Sequence, residues 1–288
     1  MKVLVIGATG YAGHRIATAL RRRGHAVAGL TRDPAGAGAR ALAAAEVRPV
    51  AGELADPASY REHLRDADVV VHSAMDYADP AGSDRALFAE LTAAPRPLIY
   101  TTGISLHGRV GTPVLDETSP SSPENPLHFR YQLERELIGS GLAHTIVRPA
   151  FMYGHDSRTS QLGRWFAAPR FVGDKDKRWS FVHVDDLADA YVRIVERENG
   201  PLRDIFVIGE ENPPPALEVF TAAARAAGHA GEITTQPIGP DEWLEQAADQ
   251  DEMVSSAKAR AELGWTPRHA GPLTDMATYH AAWQAARA

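Results

Sequence analysis

Val3-Leu4-Val5-Ile6-Gly7-Ala8-Thr9-Gly10-Tyr11-Ala12-Gly13 is the stretch on which the fold turns. A short apolar run closed by glycine reads as a buried strand. From Gly13 to Arg23, the residues Ile16, Ala17 and Leu20 form one apolar stripe, and Gly24 follows where a helix C-terminal cap is expected. Strand, glycine turn and helix in that order make an anion-binding device. Gly7 permits the tight turn, Gly10 lets backbone approach a pyrophosphate, and Gly13 lets helix pack closely on strand. The helix N-terminus adds N–H groups and partial positive charge. Gly7, Thr9, Gly10, Tyr11 and Gly13 are therefore the expected dinucleotide-binding residues.

Outward from that turn, apolar runs alternate with helical patterns: His25 to Leu30, Val47 to Val50, Val69 to His72, Leu98 to Thr101 and Thr145 to Val147. Strands buried on both faces read as continuous apolar runs, so the alternation predicts an α/β fold, a Rossmann-type doubly wound parallel sheet of six or seven strands. Pro, Gly and Ser thicken between Thr112 and Pro126 and around Pro213-Pro214-Pro215, where loops and an irregular lobe are expected. The expected division is a dinucleotide-binding domain over 1–150, with 151–288 completing the sheet and forming a smaller C-terminal substrate lobe. The Ala-rich stretches Ala35 to Ala45 and Ala222 to Ala227 read as ordinary helix.

With 288 residues, 44% hydrophobic and 23% charged, the chain has ample material for a core and falls outside the disordered and collagen-like classes. A formal net charge of −7 with scattered cations argues against nucleic acid as a partner. The absence of cysteine removes disulfides, thiolate nucleophiles and Cys-based metal sites. No stretch approaches the roughly 20 apolar residues of a membrane span. The first run is too short for a signal peptide, so the expected location is the cytoplasm.

The second strand ends in Thr31-Arg32-Asp33. An acid at this place would bind the ribose diol of NAD, whereas Arg32 suits a 2′-phosphate, so the expected cofactor is NADP(H) rather than NAD(H).

Together with the glycine turn, four further blocks carry a resemblance: Gly52-Glu53-Leu54-Ala55-Asp56, Arg148-Pro149-Ala150-Phe151-Met152-Tyr153-Gly154, Phe181 to Ala188, and Glu262-Leu263-Gly264-Trp265-Thr266-Pro267. In this order the chain resembles the extended or atypical short-chain dehydrogenase/reductases, the NAD-dependent epimerase/dehydratase family. The resemblance implies that Glu53 and Leu54 lie by the adenine, that His72, Ser73 and Ala74 pass under the ribose and pyrophosphate, and that Arg148 to Gly154 line the nicotinamide side. It implies structural roles for Asp185 and Asp186, tying lobe to sheet. No metal is expected, because no further ligands stand near that acidic pair.

The family's chemistry rests on a Tyr, a Lys four residues later, and a hydroxyl from the end of the fifth strand. Counting back without gaps from Arg148-Pro149, with Glu134 as the usual helix acid, puts Arg130 at the lysine position and Pro126 at the tyrosine position; the hydroxyl position falls on Gly103. Thr102 and Ser105 flank Gly103 and are candidate hydroxyls. Tyr131 and Arg135 form a slipped YxxxR alternative. Arg130 can donate to ribose hydroxyls but cannot tune a proton relay as Lys does. His128 and Tyr131 bracket it, and His107, Tyr153 and His155 are further candidate proton sources. The candidate catalytic set is thus Thr102, Ser105, Tyr131, Arg130 and His128.

Trp165, Phe166, Phe171 and Trp179, with Arg158 and Arg164, occupy the segment that usually shapes the pocket; they suit a flat oxygenated small molecule or, equally, the core of the lobe. The leading expectation is an NADP(H)-binding oxidoreductase acting on a carbonyl or hydroxyl carbon of a small metabolite with an atypical proton donor. A redox-neutral dehydratase, epimerase or cyclase and a non-catalytic dinucleotide-sensing regulator are the alternatives. A homodimer is compatible with the family.

Overall fold

The computed structural model describes residues 1–157, 159–198 and 203–287. Arg158, one of the expected cationic anchors, lies outside them. Two compact units are present: the first comprises Met1–Thr102, Phe129–Val147 and Ala188–Phe206, the second Gly103–His128, Arg148–Leu187 and Val207–Ala288. The chain passes back and forth between them, whereas the sequence suggested one cut at residue 150.

The central sheet contains β1 (Lys2–Ile6), β2 (Ala26–Thr31), β3 (Arg48–Ala51), β4 (Val69–His72), β5 (Leu98–Thr101), β6 (His144–Pro149) and β7 (Asp204–Ile208). It is a seven-stranded parallel sheet in the order β7-β6-β5-β4-β1-β2-β3. The expected runs fall on strands, with β2 and β3 each displaced by one residue because pairing sets the register: Ala28 lies opposite Arg48 and Thr31 opposite Ala51. β1 and β4 are buried on both faces, from Val3 to Ile6 and from Val69 to His72, which is why they read as unbroken apolar runs. Strand order reverses direction of travel at β1 and β4, and a ligand belongs in the crevice at the carboxyl ends of those two strands.

Among the helices beside the sheet are α1 (Tyr11–Arg22), α2 (Ala37–Ala44), α3 (Arg61–Asp66), α4 (Pro80–Ala93) and α5 (His128–Gly139). Leu4, Ile6, Val70, Leu98, Tyr100 and Ile146 of the sheet form one core with Leu64, Leu87, Leu91, Leu133 and Leu137 of the last three helices. Gly24 (φ +88°) follows α1 in the left-handed region, as its place after the stripe suggested.

The second unit has a separate aromatic core. Trp165 of α6 (Gln161–Ala167) stacks on Trp179 at 6.0 Å and 3°, and Phe171 and Phe220 close around them. Short parallel pairs, Phe151–Tyr153 with Phe181–His183 and Val114–Leu115 with Met253–Val254, hold its frame. Trp165, Phe166, Phe171 and Trp179 are all buried, at 5% exposure or less, so they pack this core and do not wall a pocket.

Candidate functional site

In the first unit the turn after β1 is shaped by what it cannot hold. A Cβ on Gly7 (φ +88°) would stand 2.5 Å from the Ser73 carbonyl oxygen, and one on Gly13 would stand 2.1 Å from the Gly7 carbonyl oxygen. Both distances are far inside contact, so neither position tolerates a side chain unless backbone moves. Gly10 caps α1 in extended conformation with no side chain on the helix end, and its own N–H donates to Gly7 O at 2.8 Å. An uncapped first turn at a strand's carboxyl edge suits a phosphate group. Thr9 packs against the start of α2, where a Cβ on Gly38 would meet its Cγ2 at 2.9 Å, while the Tyr11 ring is buried.

Ser73 and Ala74 leave β4 beside this turn. The Ser73 N–H donates to Ile6 O (2.9 Å), and the Ala74 N–H to His72 Nδ1 (3.3 Å). Arg32 is exposed immediately after β2 and makes no hydrogen bond among the described residues. Its charge adds to the Ser83 hydroxyl and Ala78 N–H in holding the Asp76 carboxyl below its usual range. Glu53 is exposed and gives its N–H to Ser59 Oγ (3.0 Å); Leu54 packs on the core of this unit.

Beneath the same sheet edge runs a buried polar chain. His72 Nε2 lies 2.7 Å from Asp84 Oδ1, and the Tyr100 hydroxyl donates to Asp84 Oδ2. Burial pushes the Asp84 carboxyl up, but His72, Tyr100 and Arg130 outweigh it and hold it below its ordinary value. Arg130 is 7% exposed, donates from Nη2 to the Thr101 carbonyl at 2.7 Å, and lies 6.0 Å over the Tyr100 ring; its Nε has no partner among the described residues. The Thr102 hydroxyl donates to Glu134 Oε1 at 2.5 Å. Sequence reading missed Asp84. Its signal was an acid within the otherwise apolar stripe of α4, in step with Leu87 and Leu91.

Arg130, Leu133, Glu134 and Leu137 form the buried stripe of α5, at the spacing of one helix face. Tyr131 is half-buried and Arg135 exposed. The structure therefore does not gather the slipped Tyr131/Arg135 pair onto the sheet-facing side. Pro126 precedes the helix and supplies neither hydroxyl nor N–H.

In the second unit the loop after β5 carries Gly103, Ser105 and His107. Gly103 is extended, and a Cβ there would meet only the Pro149 carbonyl, at 3.9 Å. Ser105 is half-buried and donates to Glu252 Oε2 at 2.8 Å, while Gln250 Nε2 donates to Glu252 Oε1 at 2.8 Å. Glu252 is 1% exposed, and burial pushes its carboxyl up to about 8. His107 is fully buried, with Nδ1 2.6 Å from the Pro120 carbonyl and Nε2 3.4 Å from Arg148 Nη1. Burial, then Arg148, lowers it to about 4. Near pH 7 it is therefore a neutral imidazole held against the Pro120 carbonyl. His128 directs Nδ1 at Ser121 Oγ (2.8 Å), whose own proton goes to the Leu106 carbonyl.

The remaining candidates also have local partners. The Tyr153 hydroxyl donates to Glu210 Oε1 (2.8 Å), whose carboxyl burial raises to about 7. His155 meets Asp185 at 2.7 Å. Asp186 accepts the N–H groups of Arg268 and His269 at 3.0 and 3.1 Å, so it ties the start of α7 (Val184–Val195) to the C-terminal segment of its own unit, not to the sheet. Arg164 pairs with Glu245.

The sequence matches a family described as NAD(P)H-binding over residues 7–198. It is 29% identical over 307 residues to 3-diazoavenalumate denitrifying reductase from a Streptomyces species, covering 93% of this chain and 97% of that one. It is 25% identical to UDP-glucose 4-epimerase of Corynebacterium glutamicum, covering 96% and 93%. The crystal structure of UDP-glucose 4-epimerase from Thermotoga maritima with UDP-glucose superposes with a TM-score of 0.81 at 17% identity, over the whole of both chains. Among the described residues no helix is long and apolar enough to cross a membrane.

Proposed function

We propose, from the premise that the chain belongs to the NAD(P)H-binding family as a short-chain dehydrogenase/reductase of the epimerase/dehydratase type, that it is an NADP(H)-dependent reductase of a carbonyl carbon in a small metabolite. Members of this family are NAD(P)-dependent oxidoreductases, epimerases and dehydratases. The observation that carries the reading is the glycine turn, where Gly7 and Gly13 leave room only for backbone and a helix end without a side-chain cap faces outward. That is a fit for a pyrophosphate.

In this reading the turn from Gly7 to Gly13 cradles the pyrophosphate, and Arg32 pairs with the 2′-phosphate. Glu53 and Leu54 flank the adenine, and Ser73 and Ala74 border the ribose. Arg130, fixed by Thr101, offers its remaining N–H groups to ribose hydroxyls. The bound NADPH supplies hydride. The Thr102 hydroxyl is committed to Glu134 at 2.5 Å, so the proton for the substrate oxygen comes from an atypical donor. Tyr131 and His128 remain positioning groups at the start of α5.

Calorimetric titration with NADPH and NADH, followed by a panel of carbonyl substrates, tests the proposal. Tight NADPH binding with net NADPH consumption supports it. The relatives named epimerase support a redox-neutral second reading, which predicts substrate conversion without net cofactor change. Cofactor binding with no turnover would favour a dinucleotide sensor.

A further inference from the structure

Within the first unit, the peptide that walls the glycine turn is the last link of a buried chain of donors and acceptors. The Ser73–Ala74 peptide closes on Gly7, where a Cβ would stand 2.5 Å from the Ser73 carbonyl oxygen and 3.0 Å from the Ala74 nitrogen. The Ala74 N–H donates to His72 Nδ1 at 3.3 Å, so that nitrogen carries no proton and the ring proton is on Nε2. Nε2 in turn lies 2.7 Å from Asp84 Oδ1, and the Tyr100 hydroxyl donates to Asp84 Oδ2. Only an ionised carboxylate accepts at both oxygens. Burial pushes the Asp84 carboxyl up, but His72, then Tyr100 and Arg130, outweigh it and keep it ionised near neutral pH. His72 and Tyr100 stand opposite each other in the β4–β5 register, so this one carboxylate of α4 ties both strand ends.

We propose that Asp84 is a positioning residue for the dinucleotide: by keeping the His72 proton on Nε2, it holds the Ser73–Ala74 peptide where the glycine turn can take a pyrophosphate and its ribose. The inference rests on the dinucleotide reading of that turn. Three observations support it together. His72, Asp84 and Tyr100 are sealed, each at 1% exposure or less, whereas Ala74 is half-buried at the end of the chain. The Ser73 N–H is itself held by the Ile6 carbonyl at 2.9 Å, so the peptide that follows it has one remaining freedom, and His72 takes it up. On β5, Thr101 next to Tyr100 gives its carbonyl to Arg130, so the same carboxylate also steadies the strand end that fixes the arginine.

Changing one atom reverses the chain. In Asp84→Asn one acceptor becomes a donor. The Tyr100 hydroxyl is fully buried and has no second acceptor among the described residues, so the amide keeps its oxygen for Tyr100 and turns its NH2 to His72. Nε2 must then accept, the ring proton moves to Nδ1, and two donors face each other at Ala74. Ala74 has room to shift and Tyr100 has none, so the cost falls on the peptide that walls the turn. Removing the hydroxyl as well, in Asp84→Asn/Tyr100→Phe, frees the amide oxygen for the His72 Nε2–H and restores the original direction, at the expense of an amide N–H left without a partner.

The test joins nitrogen NMR of the histidine rings in the full chain with calorimetric titration by NADPH and NADH. In the wild type, His72 should show its proton on Nε2, and added NADPH should shift the Nδ1 signal more than the Nε2 signal. Asp84→Asn should move the proton to Nδ1 and weaken NADPH about tenfold. Asp84→Asn/Tyr100→Phe should return the proton to Nε2 and regain most of that affinity while its melting temperature falls further, an opposition that a merely structural role does not produce. Glu90→Gln removes a charge from the same helix, at its 2.7 Å pair with Arg61, and should leave tautomer and affinity as they were. A wild-type proton on Nδ1 overturns the proposal, and so does NADPH binding that leaves the His72 signals unmoved. Wild-type affinity in Asp84→Asn, or a double variant whose affinity falls with its melting temperature, sinks the positioning role and leaves the dinucleotide reading standing. A wild type that binds neither nucleotide sinks that reading, and the positioning role with it.

Discussion

Between β1 and α1, added side chains at Gly7 and Gly13 would run into backbone at 2.5 and 2.1 Å; between β5 and α5, the space beside Gly103 is open to 3.9 Å, and the lysine position carries Arg130. The first region is closed to variation because its own backbone must fold onto itself and leave amides for an anion. The second is framed by side chains instead, with Arg130 tied to the Thr101 carbonyl and Glu134 accepting from the Thr102 hydroxyl.

The strongest way to break that contrast is Gly13→Ala. The new Cβ would force α1 off the turn, and NADPH affinity measured by calorimetry is expected to fall by more than about 1,000-fold; an unchanged affinity would remove the turn from the cofactor site. On the other side, His107 tests whether the β5 loop is frame or chemistry. Its folded value lies at about 4 against 6.5 for the unfolded chain. The unfolded state thus binds the proton more readily, and this contribution is complete above about pH 6.5 and lost as pH falls towards 4. Urea unfolding at stepped pH should show about 3 kcal/mol of acid destabilisation from this residue, absent in His107→Asn.

Arg130→Ala should cost about 2 kcal/mol in the same assay, since the Thr101 carbonyl loses its donor and the buried Asp84 loses a nearby cation. Arg32→Ala is expected to weaken NADPH about tenfold and spare NADH, and equal loss for both nucleotides would contradict the 2′-phosphate assignment. The smallest effect belongs to Gly103→Ser. Open space and extended backbone predict a stability change within about 0.5 kcal/mol, and a larger loss would show that the region is less permissive than its geometry.

The same contrast explains what could be read in the sequence. β1 and β4 declared themselves because strands buried on both faces leave no polar interruptions, and the glycines of the turn sit where only glycine fits. Aromatics are ambiguous by nature. Trp165 and Trp179 have the same composition whether they line a cavity or, as here, stack against each other at 3°. Asp84 was legible only as a break in an apolar stripe. Glu252 was not legible at all, since a run of charged residues reads as solvated surface, and its hydroxyl partner Ser105 stands 147 positions away. The slipped pair lies off the buried stripe, since Arg135 follows Arg130 by five residues and so leaves that face.

The interleaving of the two units has a consequence for how the molecule is made. The cofactor-holding unit is not complete until Phe206 has been synthesised, because segments Phe129–Val147 and Ala188–Phe206 belong to it. A nascent chain that has released only its first hundred residues carries an edge at β5 with no β6 to cover it. During translation that edge stays unpaired while the proline-rich segment between Thr112 and Pro126 and the helix α5 are made, before the strand that covers it.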